Sequence, residues 1–287
     1  MALRLHPVAP AQGWAWIRQA FALWRRRPLA FVGLFAFFLM AVLLLMAVVP
    51  VLGGPLGMAL LPMLSLGFVI ASRSALAGGP VHALQLVAGL RHPVPQQRRA
   101  QWLLCGLYAL AAMLAVTLAD WVDGGQFEVL WKLLADAGNA AGNATKPATS
   151  AQIEAVLSDP RLTQGLLVRF GLPALLSVPF WHAPALIHWG GQGVVQAMFT
   201  STLALWRTRA AFTVYLLGLA GLMLGVALLV LLLGLLSGAR QALGVLTMPI
   251  GLLFSAVFYV SLWFSFVDTF GEPEATSEAD PQAKPGA

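Results

Sequence analysis

The sequence predicts an all-α membrane protein with six transmembrane helices, and three observations carry that prediction. Its apolar residues come in runs of roughly 20, the length that crosses a ~30 Å hydrocarbon core at 1.5 Å per residue. Only 10% of the 287 residues are charged, 59% are hydrophobic and mean hydropathy is +0.81. A soluble domain carries about 25% charged residues because it must cover its surface. The runs also lack the alternating ten-residue pattern of a transmembrane β-barrel.

Spans are expected at about 28–49, 51–72, 102–119, 165–187, 211–236 and 243–267, forming one membrane domain over 1–270. The first run, Pro28 to Val49, is too long for the h-region of a cleavable signal and is read as a span. An uncharged turn around Pro50 to Pro55 joins it to the second. Residues 120–164 form a long loop, and 271–287, rich in Glu and Pro, reads as a disordered tail.

Lys and Arg set the orientation. Arg4, Arg18, Arg25, Arg26, Arg27, Arg73, Arg91, Arg98, Arg99, Arg207, Arg209 and Lys284 fall on one side. Only Lys132, Lys146, Arg161 and Arg240 fall on the other, and Arg169 lies just inside span four. The positive-inside rule then puts both termini in the cytoplasm.

The long loop 120–164 faces outward in this reading. Phe127, Leu130, Trp131 and Leu134 recur at helical spacing, Gly138 to Ser150 reads as a linker, and Thr149 with Gln152 fits a capping box opening a short helix through Leu157. The loop is expected to rest on the membrane as a small lid, with a ligand or partner site on it as the alternative.

A repeat runs through the chain. Residues 22–27 read Ala-Leu-Trp-Arg-Arg-Arg and residues 204–209 read Ala-Leu-Trp-Arg-Thr-Arg, each after an amphipathic stretch and directly before a span. The first stretch carries Trp14, Ile17, Ala20, Phe21 and Trp24; the second carries Val195, Met198, Phe199, Leu203 and Trp206. Val81 to Leu90 is a weaker version. This suggests three units of interfacial amphipathic helix plus helical hairpin. Trp24, Arg25, Arg27, Trp206, Arg207 and Arg209 are the candidate anchors to anionic lipid headgroups, since Trp suits the interface and Arg pairs with phosphate.

Chemistry has few carriers. The single Cys105 excludes an intramolecular disulfide. No metalloprotease motif, P-loop or nucleophile elbow appears, so no catalytic residue, cofactor or metal is expected. The net charge of +6 gathers beside the spans, which argues against nucleic acid as a partner. His182 and His188, six residues apart, lie about 240° apart around a helix and would share a metal only across a kink. All eleven acids lie in the loop 120–164 or at the C-terminal end, none in the middle of a span, which argues against a proton relay. Pro and Gly interrupt spans two and four, the pattern that marks a transporter's central site. Pro62, Arg169, Pro179, His182 and His188 are therefore the candidate substrate-path residues. In span five, Gly221 and Gly225 would permit close helix approach within the bundle or between protomers.

The Trp-Arg-Arg-Arg-Pro entry to span one, the Phe-Trp-His-Ala-Pro-Ala-Leu-Ile-His-Trp exit from span four and the Ala-Leu-Trp-Arg-Thr-Arg-Ala-Ala-Phe entry to span five resemble a family of uncharacterised bacterial six-span inner-membrane proteins. The resemblance covers most of the chain except the loop 120–164. It implies residence in the bacterial inner membrane and contributes no mechanism. The first functional expectation is a non-enzymatic scaffold or envelope-associated factor, with a homo-oligomer or an envelope protein as partner. The alternative is a transporter of a small or lipid-like substrate with its site near the kinks of spans two and four. An enzyme acting on lipid would have only Arg169, His182 and His188 to draw on.

Overall fold

The computed structural model describes residues 5–139, 150–237 and 240–273. Thr149 and most of the tail therefore lie outside the described residues. Within them the chain is helical, and six segments are long and apolar enough to cross a membrane: Pro28–Val48, Leu52–Leu76, Pro95–Asp123, Pro160–Gly190, Arg209–Leu233 and Met248–Phe270.

Helix α1 (Gln12–Arg26) leads directly into α2 (Pro28–Val48), the first span. Val49 is extended because it precedes Pro50, and α3 (Pro50–Ala59) starts at that proline. The expected turn around Pro50 to Pro55 thus shrinks to little more than one residue. Span two breaks at Leu60 and resumes as α4 (Leu61–Leu76), with Pro62 in its first turn, where a missing N–H costs nothing. Two short 3₁₀ turns, Ala83–Val87 and Gly89–Arg91, follow α4. They replace the amphipathic α-helix suggested for Val81 to Leu90, so the second unit departs from the other two. Pro80 before them and Pro93 and Pro95 after them leave too short a run for a stable α-helix.

Helix α5 (Pro95–Asp123) is the third span, and α6 (Gln126–Asn139) and α7 (Ser150–Leu157) lie between it and the fourth. Span four is α8 (Pro160–Phe180) followed, after a break at Trp181 and His182, by α9 (Ala183–Gly190). Helix α10 (Val194–Arg207) then leads into α11 (Arg209–Ser237), and α12 (Arg240–Phe270) closes the bundle.

The packing is not sequential. Helix α5 lies along α8, α4 lies against α12, and α1 packs on both α11 and α12. A Cβ on Gly13 would overlap the backbone of Ala211, so α1 reaches α11 only because residue 13 has no side chain. Trp16 is fully buried there, its ring against Phe212 and Tyr215. Its Nε1 donates to Asp268 Oδ2 at 2.8 Å, and Gln12 Nε2 donates to the same oxygen at 3.1 Å. Helix α1 is consequently a docked element with a second, outward face. Trp14, Arg18, Phe21 and Arg25 are exposed at i, i+4, i+7 and i+11, one stripe along the helix. Helix α10 repeats that stripe with exposed Val195, Phe199, Thr202 and Trp206. Gly221 and Gly225 face open space, so neither brings α11 close to another helix of this chain.

Candidate membrane-embedded site

The two helix breaks meet. Pro62 from the α4 start and Phe180 and Trp181 from the α8 end line one cavity of about 160 Å³, together with Ser65, Tyr108, Ser177 and Tyr259. Spans two, three, four and six all contribute. Tyr108 is 13 residues into the 29-residue α5, so the cavity sits near the middle of that helix.

Proline explains the breaks, and hydroxyls beside each break donate to nearby backbone carbonyls. Ser65 Oγ donates to Pro62 O at 2.8 Å, and Ser177 Oγ donates to Ala174 O at 2.6 Å. Ser201, from α10, stitches the second break. Its Oγ donates to Val178 O at 2.9 Å and accepts from the His182 backbone N–H at 3.1 Å. Gln101 Nε2, fully buried on α5, donates to Pro184 O at 2.7 Å.

Three donors at the cavity are spare. The Trp181 indole Nε1 is buried without a partner. Neither Tyr108 nor Tyr259 donates its hydroxyl to any described residue. The ring of Trp181 is held edge-on against Phe212, Tyr215 and Phe258, so the site is firmly walled on that side. None of the residues lining the cavity is charged.

A second space of about 760 Å³ runs between α11 and α12, with Phe35 of α2 at its edge. Phe258 and Tyr259 line both spaces. The exposed Met223 and Leu231 on its rim are the kind of side chain that meets lipid.

The other path candidates lie elsewhere. Pro179 is inside α8, one residue before Phe180, and does not line the cavity. Arg169 is ten residues before Pro179, about 15 Å along the helix toward its N-terminal end. It is tied down there rather than free to reach water. Its guanidinium donates to Asp120 Oδ1 and, at 3.0 Å, to Asp123 Oδ2, and stacks over the Phe127 ring of α6 at 4.1 Å. His182 is buried among Phe212, Phe266 and Phe270, whereas His188 meets the ring edge of His92 at 4.8 Å. The two histidines have separate surroundings, and among the described residues no group of three His, Cys, Asp or Glu is placed to hold a metal. His92, between the second 3₁₀ turn and α5, has its pKa below the ordinary imidazole value, chiefly because it is partly buried.

Of the candidate anchors, Arg25 and Arg207 are exposed, and Arg209 lies over the exposed Trp206 ring at 5.3 Å. Trp24 stacks on Phe21 at 5.5 Å. Arg27 is taken: its guanidinium donates to the carbonyls of Gly78 and Gly79, so it pins the loop after α4. Tyr108, Tyr259, Trp181 and Ser201 escaped the sequence reading. The serine three residues after Pro62 and the serine two before Pro179 were the available signal, since a helical serine hydroxyl donates readily to a carbonyl three or four residues earlier.

This architecture defines a multi-pass α-helical membrane protein, with an uncharged, mostly apolar cavity between the broken spans and no metal-binding cluster among the described residues. The chain is 33% identical over 273 residues to a probable inner membrane protein of Burkholderia thailandensis, a match covering 95% of this chain and 96% of that one. It belongs to the same family and is an inner-membrane protein. No family model matches the sequence, and no solved structure matches it.

Proposed function

We propose that the protein is a carrier for a lipid-like molecule, bound where the broken spans two and four face each other, with both termini in the cytoplasm. The observation that supports the carrier reading is the coincidence of both breaks at one cavity, adjoining a groove open to lipid. Broken helices at corresponding positions and half-depth are how transporters build central sites. In liposomes containing the protein, a fluorescent lipid is expected to cross between leaflets faster than in protein-free liposomes. Ser65→Trp, which fills the cavity, returns the rate to the protein-free value. Equal rates with and without the unaltered protein would sink the carrier reading.

The distribution of Lys and Arg supports the orientation. On a Cys105→Ser background, a cysteine placed at Ser158 is expected to react with a membrane-impermeant maleimide from the periplasm. One placed at Gln196 reacts only after the membrane is opened. The reverse pattern overturns the orientation.

A scaffold reading draws on a different observation. Trp121 and Trp131 are 81% and 65% exposed in and beside the lid, more than a folded surface needs. Under that reading Ser65→Trp leaves function intact and Trp131→Ala removes it, the opposite of the carrier expectation.

A further inference from the structure

We infer that the cavity between the broken spans takes the uncharged, hydrogen-bond-accepting head of a lipid, an ester or ketone carbonyl, while the hydrocarbon chain of the same molecule lies in the groove between α11 and α12. This rests on the lipid-binding part of the carrier reading and names the chemistry of its ligand.

The donor inventory argues for an acceptor. The buried Trp181 Nε1–H has no partner, and the hydroxyls of Tyr108 and Tyr259 donate to no described residue. Ser65 and Ser177 already donate to backbone carbonyls, so their hydrogens are spent. An indole N–H can only donate. A buried donor left unmatched is costly, and a carbonyl oxygen is the group that would relieve it.

Charge argues for neutrality. No Lys, Arg, His, Asp or Glu lines the cavity. A phosphate, carboxylate or ammonium placed there would be a buried charge without a counter-charge, which is strongly disfavoured inside a membrane.

Size argues for a divided ligand. About 160 Å³ admits a small head such as an ester, whereas the adjoining 760 Å³ groove has the volume of a long chain. Phe258 and Tyr259 stand at the junction, and Tyr259 packs on Phe35 and Phe68, which fixes its ring beside both spaces.

The test uses the full chain in nanodiscs and three diazirine probes with one hydrocarbon chain: a methyl ester, the free carboxylate and the plain alkane. Labelled sites are mapped by mass spectrometry. The ester is expected to label cavity peptides most strongly. Its labelling should fall roughly threefold to tenfold in Tyr259→Phe and in Trp181→Phe, the worth of one hydrogen bond. Alkane labelling of the groove should not change, and this also shows that the variants are folded; Tyr108→Phe serves as a third variant of minimal volume change. Strongest labelling by the carboxylate, or ester labelling that none of the variants alters, overturns the inference while leaving a lipid site in place. Absence of cavity labelling by every probe overturns the inference and the lipid-binding reading together.

Discussion

An Arg169→Ala variant is expected to lose about 3–5 kcal/mol of stability, the cost of removing one partner from a buried ion pair. The reason is Asp123. Its side chain is fully buried, and it holds the Arg169 guanidinium at 3.0 Å with one oxygen and the Gly125 backbone N–H at 2.7 Å with the other. A Cβ at Gly165 would collide with the Asp123 side chain, so α8 lies directly on the carboxylate. Without the guanidinium the charge has no counterpart, and the stack on Phe127 that holds α6 is lost too. Asp120 is different: its side chain is 57% exposed. Asp120→Asn should therefore cost less than about 1 kcal/mol, as exposed pairs do. Unfolding by titration with a denaturing detergent measures both. Equal losses in the two variants would show that Asp123 is not the group that matters.

Trp16→Ala is the second large effect, about 3–5 kcal/mol for truncating a buried tryptophan. Trp16 is inaccessible to solvent, packs at steep angles against two aromatic rings and donates to Asp268. Its neighbour Trp14 is 43% exposed on the opposite stripe, with Arg18, Phe21 and Arg25. Trp14→Ala should change stability by less than about 0.5 kcal/mol. Its effect should instead appear in native mass spectra as fewer retained anionic lipids, because that stripe is the one positioned for headgroups. If Trp14→Ala and Trp16→Ala destabilise equally, the division of α1 into a docking face and a lipid face fails.

How much of this could be read beforehand follows from which interactions are local. A span is a property of about 20 consecutive residues, and all six apolar runs correspond to long apolar helices. The proline breaks were legible for the same reason, because each removes a hydrogen bond one turn away. Pairings between distant segments were not. Arg169 and its two aspartates are separated by 46 and 49 residues. The one signal was that Asp120 and Asp123 share a helix face at i, i+3. Helix α1 was readable as amphipathic, but nothing local says whether its apolar face meets lipid or protein. Gly13 was the clue, since a glycine early in an amphipathic helix permits backbone-to-backbone approach. The spare donors of Tyr108, Tyr259 and Trp181 come from three spans and converge only when the bundle closes.

The bond from Trp16 to Asp268 joins residues 252 apart. At about 5–20 residues per second, the ribosome needs roughly ten to fifty seconds after making the tryptophan before it makes the aspartate. Throughout that interval the first helix can meet α11 but not the end of α12. Its seat in the bundle stays incomplete until the last span arrives. A chain that stops short of Asp268 leaves Trp16 Nε1 and Gln12 Nε2 without the carboxylate oxygen they share, so the last turn of the sixth helix completes the seat of the first.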